Sequence, residues 1–247
     1  MTSLAVRTHW HHPEWVGVAV AGLGWLGLAG AAAVEPGLLL GLHEHHTPAQ
    51  ALQHSAVMAA AMMTPLVLDQ VQHVAVSSLW RRRYRAVAGF LVGYLGVWTL
   101  VGAALMLVGV ALTDAVGWVP ALAGAFVLAV AVTRSPSHAR LLRQCWATRP
   151  LALSGWRADR DCARYGASAA YPCLAVTAPL MFAVVLDHGL LAMAGATAIT
   201  VAERRRPPRE AGRLAPWVAA LGVLCLVTAL LLAPETTMTM NGSMPHR

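Results

Sequence analysis

The stretch HSAVMAAAMMTPLVLDQVQH, residues 54–73, decides the fold. It is apolar enough to cross a bilayer, yet it carries two histidines, one aspartate and three methionines. A helix advances 100° per residue, so most of these groups fall on one face about 100° wide: His54, Met58, Met62, Asp69 and His73. Ionisable groups at membrane depth are costly and usually face a bundle interior or a cavity. The stretch therefore predicts a membrane helix with one functional face.

The composition of the whole chain agrees with this reading. Of the 247 residues, 57% are hydrophobic and only 12% are charged. A soluble domain carries about 25% charged residues. The chain has a net charge of +7, but its basic residues lie in short loops. Positive charge in such loops sets the orientation of a membrane protein, so it does not indicate nucleic-acid binding. These values predict a polytopic membrane protein.

The apolar segments predict an all-α, polytopic transmembrane helix bundle. A bilayer core needs about 20 apolar residues per helix. Seven segments qualify, and the alternative is six spans with 165–202 rearranged. The chain is then one integral membrane domain, 1–247, with a cytoplasmic loop at 135–164 and a Met-rich outer tail at 234–247. The predicted helices are 16–34, 53–77, 86–112, 118–134, 165–186, 189–202 and 214–233.

Arginine predicts the orientation of this bundle, since all 18 basic residues are arginine. They concentrate after the second helix, in the long loop and after the sixth helix. The alternating loops at 35–52, 113–117 and 187–188 contain none. By the positive-inside rule the N-terminus is cytoplasmic and the C-terminus lies outside.

Three clusters of soft ligands then fall on the outer side. One is the loop GLHEHH with His43, His45 and His46, and another is the tail with Met238 and Met240. The third is the outer end of the second helix, and its members are His54, Met58, Met62 and Met63. Thioethers suit Cu(I) and imidazole suits either copper ion. The pattern predicts copper binding, although methionine in an apolar helix also serves as ordinary packing.

Asp69 and His73 lie one turn apart toward the inner end of the same helix. A buried carboxylate needs a cation, a proton or hydrogen bonds. The pair is therefore predicted to form a polar relay, and the alternative is a carboxylate satisfied at a helix interface.

Signatures of common enzymes are absent from the sequence. There is no GxSxG, HExxH or phosphate-binding loop, which disfavours an enzyme. The four cysteines include no CxxC pair, so neither a disulfide framework nor a thiolate zinc site is indicated.

The chain carries the motif AMMTP at 61–65 and, after an arginine-rich loop, the motif GYLGVW at 93–98. These motifs resemble the AMMxP motif and the GYxxxW helix of an uncharacterised bacterial family of predicted metal-binding integral membrane proteins. Its CLxxC and CxxCCWxLM segments are matched in part, and its last shared helix ends in an acidic–basic pair. The resemblance spans roughly residues 55–206 and implies further metal-related positions at Cys145, Cys173, Met181 and Glu203.

The chain departs from this family in its cysteines. Leu141 stands at the first cysteine of CLxxC, and Val176 and Thr177 stand where the paired cysteines would be. His138 replaces a lysine. If the family binds metal through cysteines, this chain has lost that site or rebuilt it with histidine and methionine.

These observations predict a copper-binding membrane protein that handles or delivers copper on the extracytoplasmic side, to a cuproprotein partner. One alternative is a proton or cation transporter that uses the polar face of the second helix. Another is a structural or assembly subunit of a membrane complex, with its small residues favouring close helix packing.

Overall fold

The computed structural model describes residues 14–34, 47–152, 155–207 and 210–239, with side chains as far as Leu231. This part of the chain is entirely helices and connecting turns, without a strand, which confirms the all-α prediction. Two short 3₁₀ segments, Thr64–Val67 and Trp80–Arg82, interrupt it. The α-helices are α1 Trp15–Val34, α2 Pro48–Met63, α3 Leu68–Val76, α4 Arg83–Val116, α5 Trp118–Arg134, α6 Pro136–Gln144, α7 Gly155–Asp187, α8 Leu190–Arg204 and α9 Ala215–Thr239.

Four helical stretches are long and apolar enough to cross a membrane: Trp15–Val34, Pro48–Val76, Trp80–Val116 and Gly155–Asp187. The bent pair α5–α6, with an angle of 77°, makes a fifth if it counts as one span. Helix α8 has 15 residues and is about 22 Å long, shorter than a bilayer core of about 30 Å. Seven spans therefore stay a prediction.

Helix α2 begins earlier than expected and ends in a break. Thr47 and Gln50 form a capping box with Pro48 at the first helical position, so the helix begins at Pro48 rather than at 53. Pro65 lies in the 3₁₀ segment Thr64–Val67, where it donates no backbone hydrogen bond. A 3₁₀ segment turns about 120° per residue, so four such residues rotate the following face by roughly 80°.

The centre of the bundle is the pair α4 and α7, which approach very closely. A Cβ atom on Gly93 would collide with the carbonyl oxygen of Ala163, and one on Gly166 would collide with that of Phe90. Only glycine allows the two backbones to pack at this separation. Helix α2 packs on the same side, where Ser55 Oγ donates a hydrogen bond of 2.8 Å to the carbonyl oxygen of Thr99.

The arginine-rich segments meet at one end of the bundle, which we call the basic end. Arg85 pairs with Asp159 at 2.8 Å, which joins the start of α4 to the start of α7. Arg204 donates a hydrogen bond of 2.8 Å to the carbonyl oxygen of Cys145 and so joins the end of α8 to the loop after α6. His54, near the start of α2, and His188, just before α8, lie next to each other at the opposite end of the bundle. The expected loop 135–164 thus contains α6, and α7 begins at Gly155 rather than at 165.

Candidate metal centre

A cavity between α2, α4 and α7 brings three methionines together. Its volume is about 20 Å³, which is room for one small atom. Three methionine side chains line it together with the small side chains of Ser55 and Ala59 and the indole of Trp98. We call it the methionine cavity, and its methionines are Met58, Met63 and Met181.

The local structure of α2 and α7 places these thioethers. Met58 and Met63 are 6% and 2% exposed, so both side chains point into the bundle. Met181 lies on the buried face of α7 and is 3% exposed. The sequence resemblance marked Met181 as a family-matched position, but it lies beside the methionines of α2 only because α2 and α7 both pack against α4.

A pair of histidines lies at the end of the bundle opposite the basic end. The rings of His54 and His188 have their centroids 6.0 Å apart. His188 has a φ of +54°, a left-handed conformation that is uncommon for residues other than glycine. Asp187, just before it, accepts a hydrogen bond of 3.2 Å from the backbone N–H of Gly189, which shapes this turn.

His188 was not among the predicted metal ligands. The only sequence signal was the pair Asp187-His188 in a turn between two apolar helices, where such residues also occur without a functional role. Its nearness to His54 depends on two segments more than a hundred residues apart, so it is a property of the tertiary structure.

Met62 has a different environment from the other methionines of α2. It is fully buried within the hydrophobic core and does not line the methionine cavity. Met62 and Met63 are adjacent on a helix and point about 100° apart, so one cavity does not receive both. Met63 therefore takes the position that the sequence pattern assigned to Met62.

Asp69 and His73 do not share the buried face of α2. Asp69 is exposed, and Gln70 is the buried polar side chain of this turn. His73 is half-buried, and its Nε2 lies 3.2 Å from the carbonyl oxygen of Arg149. The expected continuous face through residues 54–73 is therefore not formed, because the 3₁₀ segment Thr64–Val67 rotates α3 relative to α2.

A second cavity of about 10 Å³ lies nearer the basic end, and we call it the thiol cavity. Both family-matched cysteines line it, Cys145 from the end of α6 and Cys173 from α7. The hydroxyl oxygen of Tyr94 is 3.1 Å from the sulfur of Cys173. Burial raises the pKa of the Cys145 thiol to about 11, although the nearby Arg204 guanidinium acts in the opposite direction. The remaining lining residues are Leu66, Leu142, Val176, Thr177, Thr200, Glu203 and Arg204.

Glu203, which also lines the thiol cavity, is held by hydrogen bonds to His138 and Gly212. Its Oε1 lies 3.0 Å from Nε2 of His138 and accepts a hydrogen bond of 3.1 Å from the backbone N–H of Gly212. His138 and Glu203 are both buried. This pair connects the short helix α6 to the end of α8.

Within the described ranges, no group of three or more His, Cys, Asp and Glu side chains is placed to hold a metal ion. A metal site among the described residues therefore needs methionine ligands, or only two side chains of the His, Cys, Asp and Glu types. Three of the predicted ligands, His43, His45 and His46, lie outside the described residues, and so do Met240 and the side chain of Met238.

The comparison with protein families identifies a related group. A family model described as PpoB2, copper chaperone, matches residues 54–232, which is well over half of the chain. No curated protein and no solved structure matches this chain. The match confirms a metal-related family and a copper-related function, and its first residue is His54. The chain therefore belongs to the PpoB2 family of copper chaperones.

Proposed function

We propose that the protein binds one Cu(I) ion in the methionine cavity and passes it to a cuproprotein on the extracytoplasmic side of the membrane. The observation that carries this proposal is the meeting of Met58, Met63 and Met181 around a space for a single atom. Thioethers are soft, neutral ligands that suit Cu(I) and are poor ligands for zinc, magnesium and calcium.

The chemistry of the cavity suits an ion that must be released again. Thioethers bind without losing a proton, so loading and unloading need no change of protonation at these ligands. The surrounding side chains are apolar or small, which keeps water from the ion. His54, one turn from Met58 on α2, and His188 supply imidazoles on the side of the cavity away from the basic end, where an ion can leave.

The shape and surface of the bundle support a membrane location. Large apolar side chains are exposed along several helices, as expected of a surface that contacts lipid. Examples are Leu23, Leu26, Val92, Leu100, Val127 and Leu230. The gathering of the arginine-rich segments at one end supports a cytoplasmic location for that end. In this proposed orientation the His54–His188 end lies outside.

A Cu(I) titration of the detergent-purified protein tests the proposal. The variant Met58→Leu/Met63→Leu/Met181→Leu keeps the volume of the side chains but removes all three thioethers. We expect it to lose one equivalent of bound Cu(I) relative to the wild type. The matched control is Met62→Leu/Met193→Leu, since Met62 and Met193 are also buried but lie outside the cavity.

The titration distinguishes a site in the methionine cavity from a site that includes Met62, as the sequence pattern predicted. Loss of the ion in the triple variant but not in the control supports the methionine cavity. Equal copper binding in the triple variant and the wild type would show that these methionines only pack. Loss in the Met62→Leu/Met193→Leu control alone would move the site away from Met63 and Met181.

A further inference from the structure

The thiol cavity contains a buried cation beside two buried thiols. Arg204 is 8% exposed, and Cys145 and Cys173 are 4% and 2% exposed. We infer that Cys145 and Cys173 bind a second Cu(I) ion as a bis-thiolate complex, and that the Arg204 guanidinium neutralises the charge of that complex.

Arg204 is a buried cation at the edge of the thiol cavity. Its guanidinium donates a hydrogen bond of 2.8 Å to the carbonyl oxygen of Cys145, and no described carboxylate lies within 4.0 Å of it. Glu203, its neighbour in sequence, is engaged instead with His138 and Gly212. A buried cation without an anionic partner is costly, so an anion bound in this cavity would be stabilised.

The two thiols supply that anion only when they bind a metal. In the empty protein burial favours the neutral thiol, since both cysteine side chains are almost completely removed from water. When Cu(I) binds, each thiol loses its proton and forms one Cu–S bond, so two protons leave and no electron is transferred. The complex carries one negative charge in total, which matches the single positive charge of Arg204.

Hydrogen bonds around the two thiols hold them in position to bind one ion together. The side chain of Gln70 donates to the same Cys145 carbonyl oxygen as Arg204, so the backbone that carries this thiol is anchored twice. The Tyr94 hydroxyl lies 3.1 Å from the Cys173 sulfur, where it can donate a hydrogen bond to a thiolate. The volume of the cavity, about 10 Å³, is close to that of one small atom.

The thiol cavity and the methionine cavity follow one another along α7. Cys173, Thr177 and Met181 are spaced four residues apart, so they share a face, and Cys173 and Met181 are about 12 Å apart along the axis. The thiol cavity is the one nearer the basic end. The transit of an ion from one cavity to the other rests on the proposed function, whereas binding at the thiols does not.

The thiol site is tested in the Met58→Leu/Met63→Leu/Met181→Leu background, so that its failure is distinct from failure of the methionine site. In this background we expect one equivalent of Cu(I), an ultraviolet thiolate-to-copper absorption band and the release of two protons. Adding Cys145→Ser/Cys173→Ser should abolish all three. The matched control is Cys162→Ser/Cys225→Ser, which removes the other two buried cysteines and should change none of them.

Four further variants keep the test decisive if the double serine variant does not fold. Cys145→Ala or Cys173→Ala alone should remove the absorption band, because one thiolate does not complete the pair. Arg204→Met should lower the Cu(I) affinity tenfold or more, whereas Arg204→Lys, which keeps the charge, should lower it less. An unchanged band and stoichiometry in the folded cysteine variants, or equal affinity in Arg204→Met and wild type, would overturn the inference.

Discussion

Gly93 shows how one residue controls the approach of two helices. A Cβ atom at this position would collide with the backbone of Ala163 on α7. The backbone of a packed helix cannot give way as a flexible side chain can, so the helices must move apart. The same contact fixes the distance across which Tyr94, the next residue, meets Cys173.

The variant Gly93→Ala is therefore expected to destabilise the protein by about 1–3 kcal/mol, the range for overpacking a core. Thermal unfolding of the purified protein measures it. Gly96→Ala, three residues further along α4, is the control, since a Cβ atom there meets nothing within 4 Å. Its unfolding temperature should stay the same or rise, because alanine has the higher helix propensity. Equal behaviour of the two variants would contradict the close packing of α4 and α7.

Asp69 and His73 are a second case at the residue scale. Asp69 is exposed and neither residue lines the methionine cavity. We expect Asp69→Asn and His73→Ala to retain the full Cu(I) stoichiometry of the wild type. Copper titration of the two variants measures it, with Met58→Leu as the comparison that should lose affinity. Loss of a bound ion in Asp69→Asn would instead support the predicted relay along one face of the helix.

A buried polar pair helps to hold helix α6 to the bundle. His138 Nε2 lies 3.0 Å from Glu203, and both side chains are buried. Removing one member of such a pair leaves the other buried without its partner. Because α6 also positions Cys145, this contact connects the stability of a short helix to the geometry of the thiol cavity.

His138→Ala is expected to destabilise the protein by about 1–3 kcal/mol, the range for leaving a buried polar group without its hydrogen-bond partner. Thermal unfolding and limited proteolysis of the loop after α6 measure the effect. The control is Glu210→Gln, which breaks the more exposed Glu210–Arg213 pair of 3.5 Å and should change stability little. If both variants unfold like the wild type, the pair does not hold α6.

At the scale of the whole molecule, the basic end predicts the orientation in the membrane. The end of α4 that carries Asp114 lies away from the arginine-rich segments, whereas Ala147 lies among them, and both residues are exposed. In intact cells, Asp114→Cys should react with a membrane-impermeant maleimide. Ala147→Cys should react only after the membrane is permeabilised. Background from the four native cysteines should be small, because all are buried.

The opposite labelling pattern would reverse the orientation. The methionine cavity and its copper would then remain as proposed, but the His54–His188 end would face the cytoplasm. Delivery to an extracytoplasmic cuproprotein would no longer be supported. Labelling at both positions in intact cells would contradict a membrane-spanning bundle.

Much of this architecture was predictable from the sequence, because it follows from local composition and period. Long apolar segments in a chain with few charges predict helices, and the concentration of arginine in alternate loops predicts an end that gathers positive charge. His54, Met58 and Met63 were recognisable as soft ligands because their side-chain chemistry is independent of the fold. The boundaries of α2 and α7 were less accurate, since capping by Thr47 and the helical start of α7 depend on polar residues outside the apolar runs.

The composition of the site was decided by the tertiary structure. Projecting residues 54–73 onto one ideal helix failed because the 3₁₀ segment Thr64–Val67 rotates the second half, which leaves Asp69 exposed. Met181 joins Met58 and Met63, and His188 joins His54, only because α2 and α7 pack against the same helix, α4. By itself the sequence determined a helical, apolar chain with soft ligands along it. Which of those ligands share a cavity was decided by contacts between distant segments, which no local period encodes.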